Sequence, residues 1–421
     1  MLAVAHGSRD IGGVVFQVAR RAEALARITV DCERCAWDVE GSEAVTLRLT
    51  LDDNYLQHLP IVRSGRAEYT VMLGSVERGE HHLRYFRDRE LTAPQLRDVV
   101  LSIVQKIDVE QVPEGTPEHT PLAFAPFVHA RPNTIGRFTD VPVFMWYEIE
   151  PTPRGTRYRY SVVFTNEDGG TPTDRLMATW GRTTDIEYVY SVEVDASGTV
   201  LADDLQGPEH EILAFGGRRE GRHPLLWVTT DNNMVEDRGT TTVRYAPAPI
   251  AFPLVDVSRE AVMDANPWLY AAAAKELVRE GKIVENAPPG NGAIPDPRRF
   301  VYVEACGNVG EAAVAVEVGV GDTWIPSDRG VPQYKIVRNG CFRAATPVSP
   351  SIGPTDLLGL RVVAYPRPTS EAEGTGKASV RVDRVNRMFM LDEHYVPRAS
   401  VLEWRGPAVV ETGKPLVIMV R

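Results

Sequence analysis

The residues best suited to chemistry lie between residues 158 and 236, where β-patterned segments alternate with loops rich in Gly, Asp, Glu, His and Asn. Asp185 and Glu187 are two residues apart in the segment DIEYVYSVEVD. If this segment is a strand, their carboxyl groups share a face about 6–7 Å apart. Two carboxylates at such a separation can act as the acid and the base that cleave a glycosidic bond. The alternative is a solvated strand face, because Glu193 and Asp195 continue the pattern.

Two histidines flank the nearby loop GGRREGR and are further catalytic candidates. His210 lies between Glu209 and Glu211, and His223 follows the loop. A histidine beside carboxylates can act as a general base or bind zinc. Their spacing matches no metal-binding motif, and Pro224 after His223 favours an extended strand entry with a structural role. We predict His210 and His223 as catalytic residues beside Asp185 and Glu187.

A cluster of oxygen-bearing side chains follows the strand HPLLWVTT. Hard oxygen ligands suit calcium, and we predict Asp231, Asn233 and Glu236 as the metal ligands. The loop lacks the calcium-loop pattern D-x-[DN]-x-[DN]-G. A turn that simply ends the strand is therefore the alternative.

Four further side chains are candidates for holding a sugar. Tryptophan rings stack on sugar rings, and arginine donates to their oxygens, so we predict substrate binding by Trp146, Trp180, Arg182 and Trp227. Burial of these tryptophans in the core is the alternative interpretation. The chain contains no G-x-S-x-G, Walker A or dinucleotide-binding glycine motif.

Three segments in this region resemble the Vps62 family. They are RYRYSVVFTNEDGG, TTDIEYVYSVEVDASG and HPLLWVTTDNN, which span about residues 158–235. In that family a strand with an Asp-aromatic-Glu core precedes a hairpin, and a GRHP segment with an apolar strand follows. Asp185 and Glu187 match the acidic positions, whereas Ile186 replaces the usual aromatic residue and Tyr188 the usual histidine. The resemblance implies a β fold more than a particular reaction.

The elements that position these residues are mostly strands. The alternation in VTLRLTL and its neighbours predicts an immunoglobulin-like sandwich over residues 1–112. A capping box at Thr92 predicts a helix, over residues 94–107, that closes this domain. A proline-rich linker leads to a larger central β-sandwich over 118–245. Residues 246–421 are predicted to form a C-terminal β domain, preceded by one helix that begins at Pro267.

Composition limits the function and the compartment. The formal charge of −11 argues against a nucleic-acid partner. No apolar run is long enough for a membrane helix. The N-terminus lacks an apolar segment of signal-peptide length, so either the protein is cytoplasmic or the chain is already mature. Arginine greatly outnumbers lysine, which is typical of a GC-rich bacterial genome.

The four cysteines are Cys32, Cys35, Cys306 and Cys341, and they form either two disulfides or four buried thiols. We expect Cys306 and Cys341 to come close enough to pair, because both lie in adjacent predicted strands.

Three functional hypotheses follow from these patterns. The leading one is a carbohydrate-active β protein that hydrolyses or cleaves a polysaccharide through carboxylates of the central domain. The second is a non-enzymatic glycan-binding or surface-assembly protein. The third is a metal-dependent hydrolase, which requires His210 and His223 to converge. The sequence leaves the reaction, the substrate and the oligomeric state open.

Overall fold

The computed structural model describes residues 5–6, 11–167, 169–369 and 372–420. Strands dominate these residues and helices are few, which confirms the predicted multi-domain, mainly β fold. The chain divides into two compact units. The first comprises Met1–Asp168 and Asp185–Pro253, and the second comprises Gly169–Thr184 and Leu254–Arg421. Within the described residues, no helix has the length and apolar character needed to cross a membrane.

The first unit begins with eight strands in two sheets. One sheet has the order β1-β2-β7-β4-β5, and the other has the order β6-β3-β8. Buried apolar residues alternate with exposed ones along β2, as expected for a strand with one face on a core. The strands are β1 (Ala5–His6), β2 (Ile11–Val18), β3 (Ala22–Cys32), β4 (Thr46–Leu51), β5 (Asn54–Pro60), β6 (Gly65–Val76), β7 (Gly79–Arg87) and β8 (Val104–Pro113).

The helix predicted over residues 94–107 does not form. Two single 3-10 turns, Pro94–Leu96 and Leu101–Ile103, take the first part of the segment. From Val104 onward the chain pairs with β3 as strand β8. Apolar residues at helical spacing suggested a helix, but pairing with β3 satisfies the backbone in the extended conformation instead.

The central part of the first unit is a second sandwich. Its six-stranded sheet has the order β14-β13-β12-β11-β10-β19, and its other sheet has the order β15-β16-β9-β18 with β17 beside β16. Both sheets contribute side chains to one apolar core. The elements are α1 (His119–Ala123), β9 (Phe127–His129), β10 (Pro142–Thr152), β11 (Gly155–Phe164), β12 (Asp185–Val194), β13 (Val200–Gln206), β14 (Ile212–Ala214), β15 (Arg219–Glu220), β16 (His223–Val228), β17 (Val235–Glu236), β18 (Arg244–Tyr245) and β19 (Ile250–Ala251).

Among its described residues, the second unit contains a third sandwich and three α-helices. Its sheets have the orders β23-β20-β25-β26 and β22-β21-β24-β27, and both contribute to one core. The elements are α2 (Thr173–Trp180), α3 (Ala261–Ala265), α4 (Trp268–Arg279), β20 (Phe300–Asn308), β21 (Ala312–Val320), β22 (Thr323–Pro326), β23 (Gly340–Pro347), β24 (Leu357–Pro366), β25 (Ser379–Phe389), β26 (Leu402–Glu411) and β27 (Leu416–Met419).

Each of the two units is built from two separate stretches of the chain. Residues 246–253 extend the first unit, because β19 pairs with β10 and the amide of Ala246 donates to Gln57. Residues 169–184 interrupt the central sandwich between β11 and β12 and belong to the second unit. Independent folding of residues 1–112 and of residues 118–245 stays a prediction.

A buried hydrogen-bonded pair of side chains joins the first two sandwiches within the first unit. The Nε2 atom of His223 in β16 lies 2.9 Å from Oε2 of Glu23 in β3. The other ring nitrogen, Nδ1, lies 2.8 Å from the carbonyl oxygen of Ala125. Both side chains are almost fully buried, with 2% of His223 and 5% of Glu23 exposed. Removal of one partner would leave the other buried polar group unpaired.

We therefore expect Glu23→Ala to destabilise the first unit by about 1–3 kcal/mol in urea unfolding, because Nε2 of His223 stays buried without its hydrogen-bond partner. The matched control is Glu68→Ala, since Glu68 pairs with Arg27 at the surface. This control should cost less than about 1 kcal/mol. Equal unfolding midpoints for the two variants would show that the buried pair contributes no special stability.

All four cysteines form disulfides, Cys32 with Cys35 and Cys306 with Cys341. The expected approach of Cys306 and Cys341 is confirmed, because the two residues lie directly opposite each other in β20 and β23 with Cα atoms 3.9 Å apart. The first bridge closes a separation of 3 residues and the second one of 35. The second bridge therefore restricts the unfolded chain more.

Replacement of Cys306 and Cys341 together by serine should lower the free energy of unfolding by about 3 kcal/mol. The matched double variant at Cys32 and Cys35 should lower it much less, because its loop is short. Intact mass spectrometry should find the native chain lighter than the reduced chain by four hydrogen atoms. Free thiols detected in the unreduced, unfolded protein would contradict this account.

Candidate functional site: the polar end of the central sandwich

Three strand ends of the six-stranded sheet meet at Asp185. This residue begins β12 and lies opposite Phe164, the last residue of β11. Phe164 in turn lies opposite Pro142, the first residue of β10. Asp140 lies two residues before Pro142, and Asn166 lies two residues after Phe164. The register of the sheet thus brings Asp140, Asn166 and Asp185 to the same end of the sandwich.

The facing sheet contributes Asn233, from the loop between β16 and β17. Its side-chain nitrogen Nδ2 lies 3.2 Å from Oδ1 of Asp140, 3.2 Å from the carbonyl oxygen of Asn166 and 3.1 Å from Oδ2 of Asp185. An amide nitrogen carries two hydrogens, so three oxygens compete for two donors. The side-chain oxygen Oδ1 of Asn233 has no hydrogen-bond partner among the described residues, although the residue is fully buried.

Arg131, two residues after β9, connects this cluster to the surface. Its guanidinium group donates to Oδ2 of Asp140 at 2.5 Å and also to the carboxylate of Asp231. Asp140 and Arg131 are buried, whereas 61% of the Asp231 side chain is exposed. We call Arg131, Asp140, Asn166, Asp185, Asp231 and Asn233 the end cluster. It extends from the buried core to solvent.

The backbone at this end is held in an uncommon conformation. Asp140 has a φ of 52° and Asn233 a φ of 55°, both in the left-handed region. Asp and Asn adopt this region more readily than other residues with side chains. Strained backbone of this kind tends to occur at functional sites, where the surroundings fix it. The conformation lets both side chains meet across the gap between the two sheets.

Glu187 lies on the inner face of β12 together with Asp185. Tyr160 is opposite Tyr190, whereas its neighbour Ser161 is opposite Tyr188, so β12 carries one extra residue at Val189. Such a bulge reverses the alternation of side chains. Residues opposite each other share a face. Asp185 and Glu187 therefore face inward, because their partners Phe164 and Val162 belong to the core.

The alternative of a solvated face along β12 is wrong, because every residue from Asp185 to Val194 is buried. Glu193, which was expected to share the face of Asp185, instead lies between the core residues Val192 and Val194 and points outward. There its carboxylate accepts a hydrogen bond of 2.6 Å from Arg154. The arginine holds the pKa of Glu193 below its usual value.

The two histidine candidates contact residues outside the end cluster. His223 is engaged with Glu23 and the carbonyl of Ala125. His210 lies in a tight turn after β13, where Nδ1 is 3.0 Å from Nε2 of Gln206, and the residue is exposed. Of the predicted catalytic residues, Asp185 belongs to the end cluster, through its contact with Asn233. Catalysis by this set stays a prediction.

The predicted calcium ligands are only partly brought together. Asn233 and Asp231 belong to the end cluster, but Glu236 is an exposed residue of β17, paired with Trp227. Within the described residues, no group of three or more His, Cys, Asp or Glu side chains has a geometry suited to a metal. The end cluster instead offers two carboxylates and two neutral oxygens, of Asn166 and Asn233. Such hard oxygens fit calcium or magnesium.

Trp227 and Trp146 are both buried, in agreement with the alternative that places them in the core. The Trp227 ring stacks on His129, with ring centroids 4.4 Å apart, and its Nε1 donates to the carbonyl of Thr241. Gly239 also packs against this ring. Neither ring is open to a sugar in this conformation, so the substrate-binding role predicted for both finds no support in the geometry.

Trp180 and Arg182 belong to the second unit, whereas Asp185 belongs to the first. Arg182 is buried and pairs with Glu260, its Nε lying 3.2 Å from Oε1. The guanidinium group of Arg338 lies 5.0 Å from the centre of the half-buried Trp180 ring. These contacts give both side chains structural roles in the second unit, and sugar binding by them stays a prediction.

Three members of the end cluster were not among the predicted residues: Arg131, Asp140 and Asn166. Asp140 and Asn166 each flank a strand by two residues, the signal that also marks Asp185 and Asp231 as polar residues at strand ends. Their pairing across the sheet depends on register between distant segments. That register is not visible in local periodicity.

Burial next to Trp227 lowers the pKa of His129 to about 4, although a hydrogen bond to the carbonyl of Thr241 acts in the opposite direction. The unfolded chain binds this proton near its ordinary value of 6.5. Acid therefore favours unfolding between these two pH values, and the stability lost amounts to at most about 3 kcal/mol. Above about pH 6.5 this contribution of His129 to stability is complete.

We expect His129→Phe to keep the stack on Trp227 and to remove this pH dependence. Urea unfolding at pH 4.5 and at pH 7.5 should show a smaller difference for the variant than for the natural chain. The half-buried residue His82 supplies the control, since His82→Phe removes a histidine that pairs with Glu80 near the surface. If His129→Phe and the natural chain lose equal stability on acidification, His129 is not kept neutral by burial.

Comparisons with known proteins leave the chain without an assigned family. No family model matches it, and no curated protein matches it at a significant level. NLPPya, solved in complex with mannosamine, is 10% identical over 42% of this chain and 81% of its own, with a TM-score of 0.23.

A GH2 β-galacturonidase from Eisenbergiella tayi, solved with glycerol and with galacturonate, is 8% identical over 38% of this chain. This chain covers 23% or 24% of the two galacturonidase structures, and both TM-scores are 0.14. Likenesses this low establish nothing about the site.

Proposed function

We propose that this protein binds glycans through a calcium ion held at the end cluster of the central sandwich. The observation that carries the proposal is the convergence of Asp140, Asp185 and Asn166 oxygens on one amide nitrogen, beside the unpaired side-chain oxygen of Asn233. A buried acceptor without a donor is costly. A cation among these oxygens would serve as their common partner, with the amide of Asn233 turned so that its oxygen takes the place of its nitrogen.

The donor set suits calcium and leaves room for a ligand. Calcium takes about 6–8 oxygen ligands. Asp140, Asn166, Asp185 and Asn233 supply four groups, so further positions stay available to water or to sugar hydroxyls. Asp231 stands at the exposed side of the cluster, where its carboxylate could accept hydrogen bonds from a bound sugar.

Binding is favoured over polysaccharide cleavage by the position of the histidines. A hydrolase of the predicted kind needs Asp185, Glu187, His210 and His223 around one substrate. His223 is engaged instead with Glu23, and His210 contacts Gln206 at the surface. The proposed role is therefore recognition of a glycan without turnover. The resemblance to the Vps62 family agrees with such a β-fold role and stays part of the proposal.

An oxidising compartment accords with the proposal. Two disulfides and no free cysteine among the described residues are typical of proteins outside the cytoplasm. Glycans of a cell wall or a cell surface are encountered in the same compartment. We propose that the protein acts outside the cytoplasm, on a bacterial or host glycan surface.

Calcium should raise the melting temperature of the first unit, because an ion that binds only the folded state stabilises it. At a hundredfold excess over Kd the gain is about 2.7 kcal/mol, or about 5–10 °C for a unit of this size. Asp185→Asn should abolish the shift, whereas Glu236→Gln should leave it unchanged. A shift retained by Asp185→Asn, or lost in Glu236→Gln, would contradict the assigned ligands.

Glycan-array binding should require calcium and fall to background in a chelator. The same glycans, incubated with the protein, should release no new reducing ends. Binding that persists in the chelator would reject the role of the cation. Turnover that Glu187→Gln abolishes would restore the hydrolase hypothesis.

A further inference from the structure

A second candidate binding site lies in the second unit, far along the chain from the end cluster. Three loops at one end of the third sandwich enclose a cleft of about 400 Å³. They are the turn before β20, the loop between β23 and β24 and the loop after β25. A volume of this size suits one small organic ligand.

Arginine dominates the polar lining of this cleft, in a chain whose formal charge is −11. Arg299 is the arginine best placed to bind a ligand. Its Nη1 donates to the carbonyl of Pro350 at 3.1 Å. Among the described residues, no carboxylate lies within salt-bridge distance of Arg299. Arg398 has a partner, but its Nη2 is 3.4 Å from Oε2 of Glu393, and both side chains are largely exposed. Such a pair contributes little, so a ligand can displace it.

The walls of the cleft are fixed by contacts of their own. Arg298 forms two hydrogen bonds with Asp296, of 2.8 and 2.7 Å, and lies 4.7 Å from the ring centre of Tyr395. Oδ1 of Asp392 accepts the backbone amides of His394 and Val396, both at 2.8 Å. The carboxylate of Asp296 thus neutralises the charge of Arg298 and, with the ring of Tyr395, holds its side chain in place. The charge left for a ligand belongs to Arg299 and Arg398, which both line the cleft.

We propose that this cleft binds a carboxylated monosaccharide. Arginine presents paired donors that match a carboxylate, and Arg299 with Arg398 would receive that group. Ser351 and Glu393 offer a hydroxyl and a carboxylate to sugar hydroxyls, and Ile352 provides an apolar surface for the ring. The cleft is much larger than a simple anion requires. This site is independent of the calcium-binding end cluster, so either proposal can fail alone.

Isothermal titration calorimetry of the full chain with sodium glucuronate tests the proposal. A chelator in the buffer keeps the end cluster free of calcium, which separates this test from that of the central site. Glucuronate should bind at least about tenfold more tightly than methyl glucoside, which lacks the carboxylate, or sodium acetate, which lacks the ring. Equal binding of the glucoside or of acetate, or no binding of glucuronate, overturns the proposal.

Variants locate the binding. Arg299→Gln and, separately, Arg398→Gln should each weaken glucuronate binding about tenfold with unchanged melting temperature. Arg405→Gln is the matched control, because Arg405 is an exposed arginine of β26 in the same unit and outside the cleft. Glucuronate affinity that survives in both cleft variants, or that falls equally in Arg405→Gln, rejects the assignment to this cleft.

Discussion

The approach of two carboxylates to one amide nitrogen is the constraint on which the central sandwich depends. Asp140 and Asp185 both lie within 3.2 Å of Nδ2 of Asn233. Like charges so close repel unless a donor or a cation compensates them. The protein supplies Arg131 on the side of Asp140. The geometry therefore joins the two sheets through polar contacts at this end, whereas apolar packing joins them elsewhere.

A single extra residue in β12 makes this arrangement possible. The bulge at Val189 turns Asp185 and Glu187 toward the interior, while Glu193 points outward to Arg154. Without the bulge, an inward-facing Tyr190 would leave Asp185 and Glu187 on the outer face, because side chains alternate between the two faces of a strand. The bulge thus separates one apparently continuous row of acids into an inner pair and an outer ion pair.

Local sequence patterns predicted where strands lie better than they predicted which distant residues the pairing of strands brings together. Alternation identified the strands, and the adjacency of predicted strands identified the pairing of Cys306 with Cys341, because both signals act over short distances. The helix expected over residues 94–107 failed, since pairing with β3 outweighs helical spacing. Asp185 was recognised on the face of its strand, and Asn233 in the polar cluster that follows a strand. Their neighbour Asp140 was missed, because only the register of three strands brings it there.

The claim that the end cluster binds a cation is tested most directly by a crystal structure determined from crystals grown in calcium. The account predicts density for an ion at about 2.3–2.6 Å from carboxylate oxygens of Asp140 and Asp185. It also predicts that the side chain of Asn233 presents its oxygen to the ion. Electron density that shows no ion, with Nδ2 of Asn233 still shared by both carboxylates, would contradict the account.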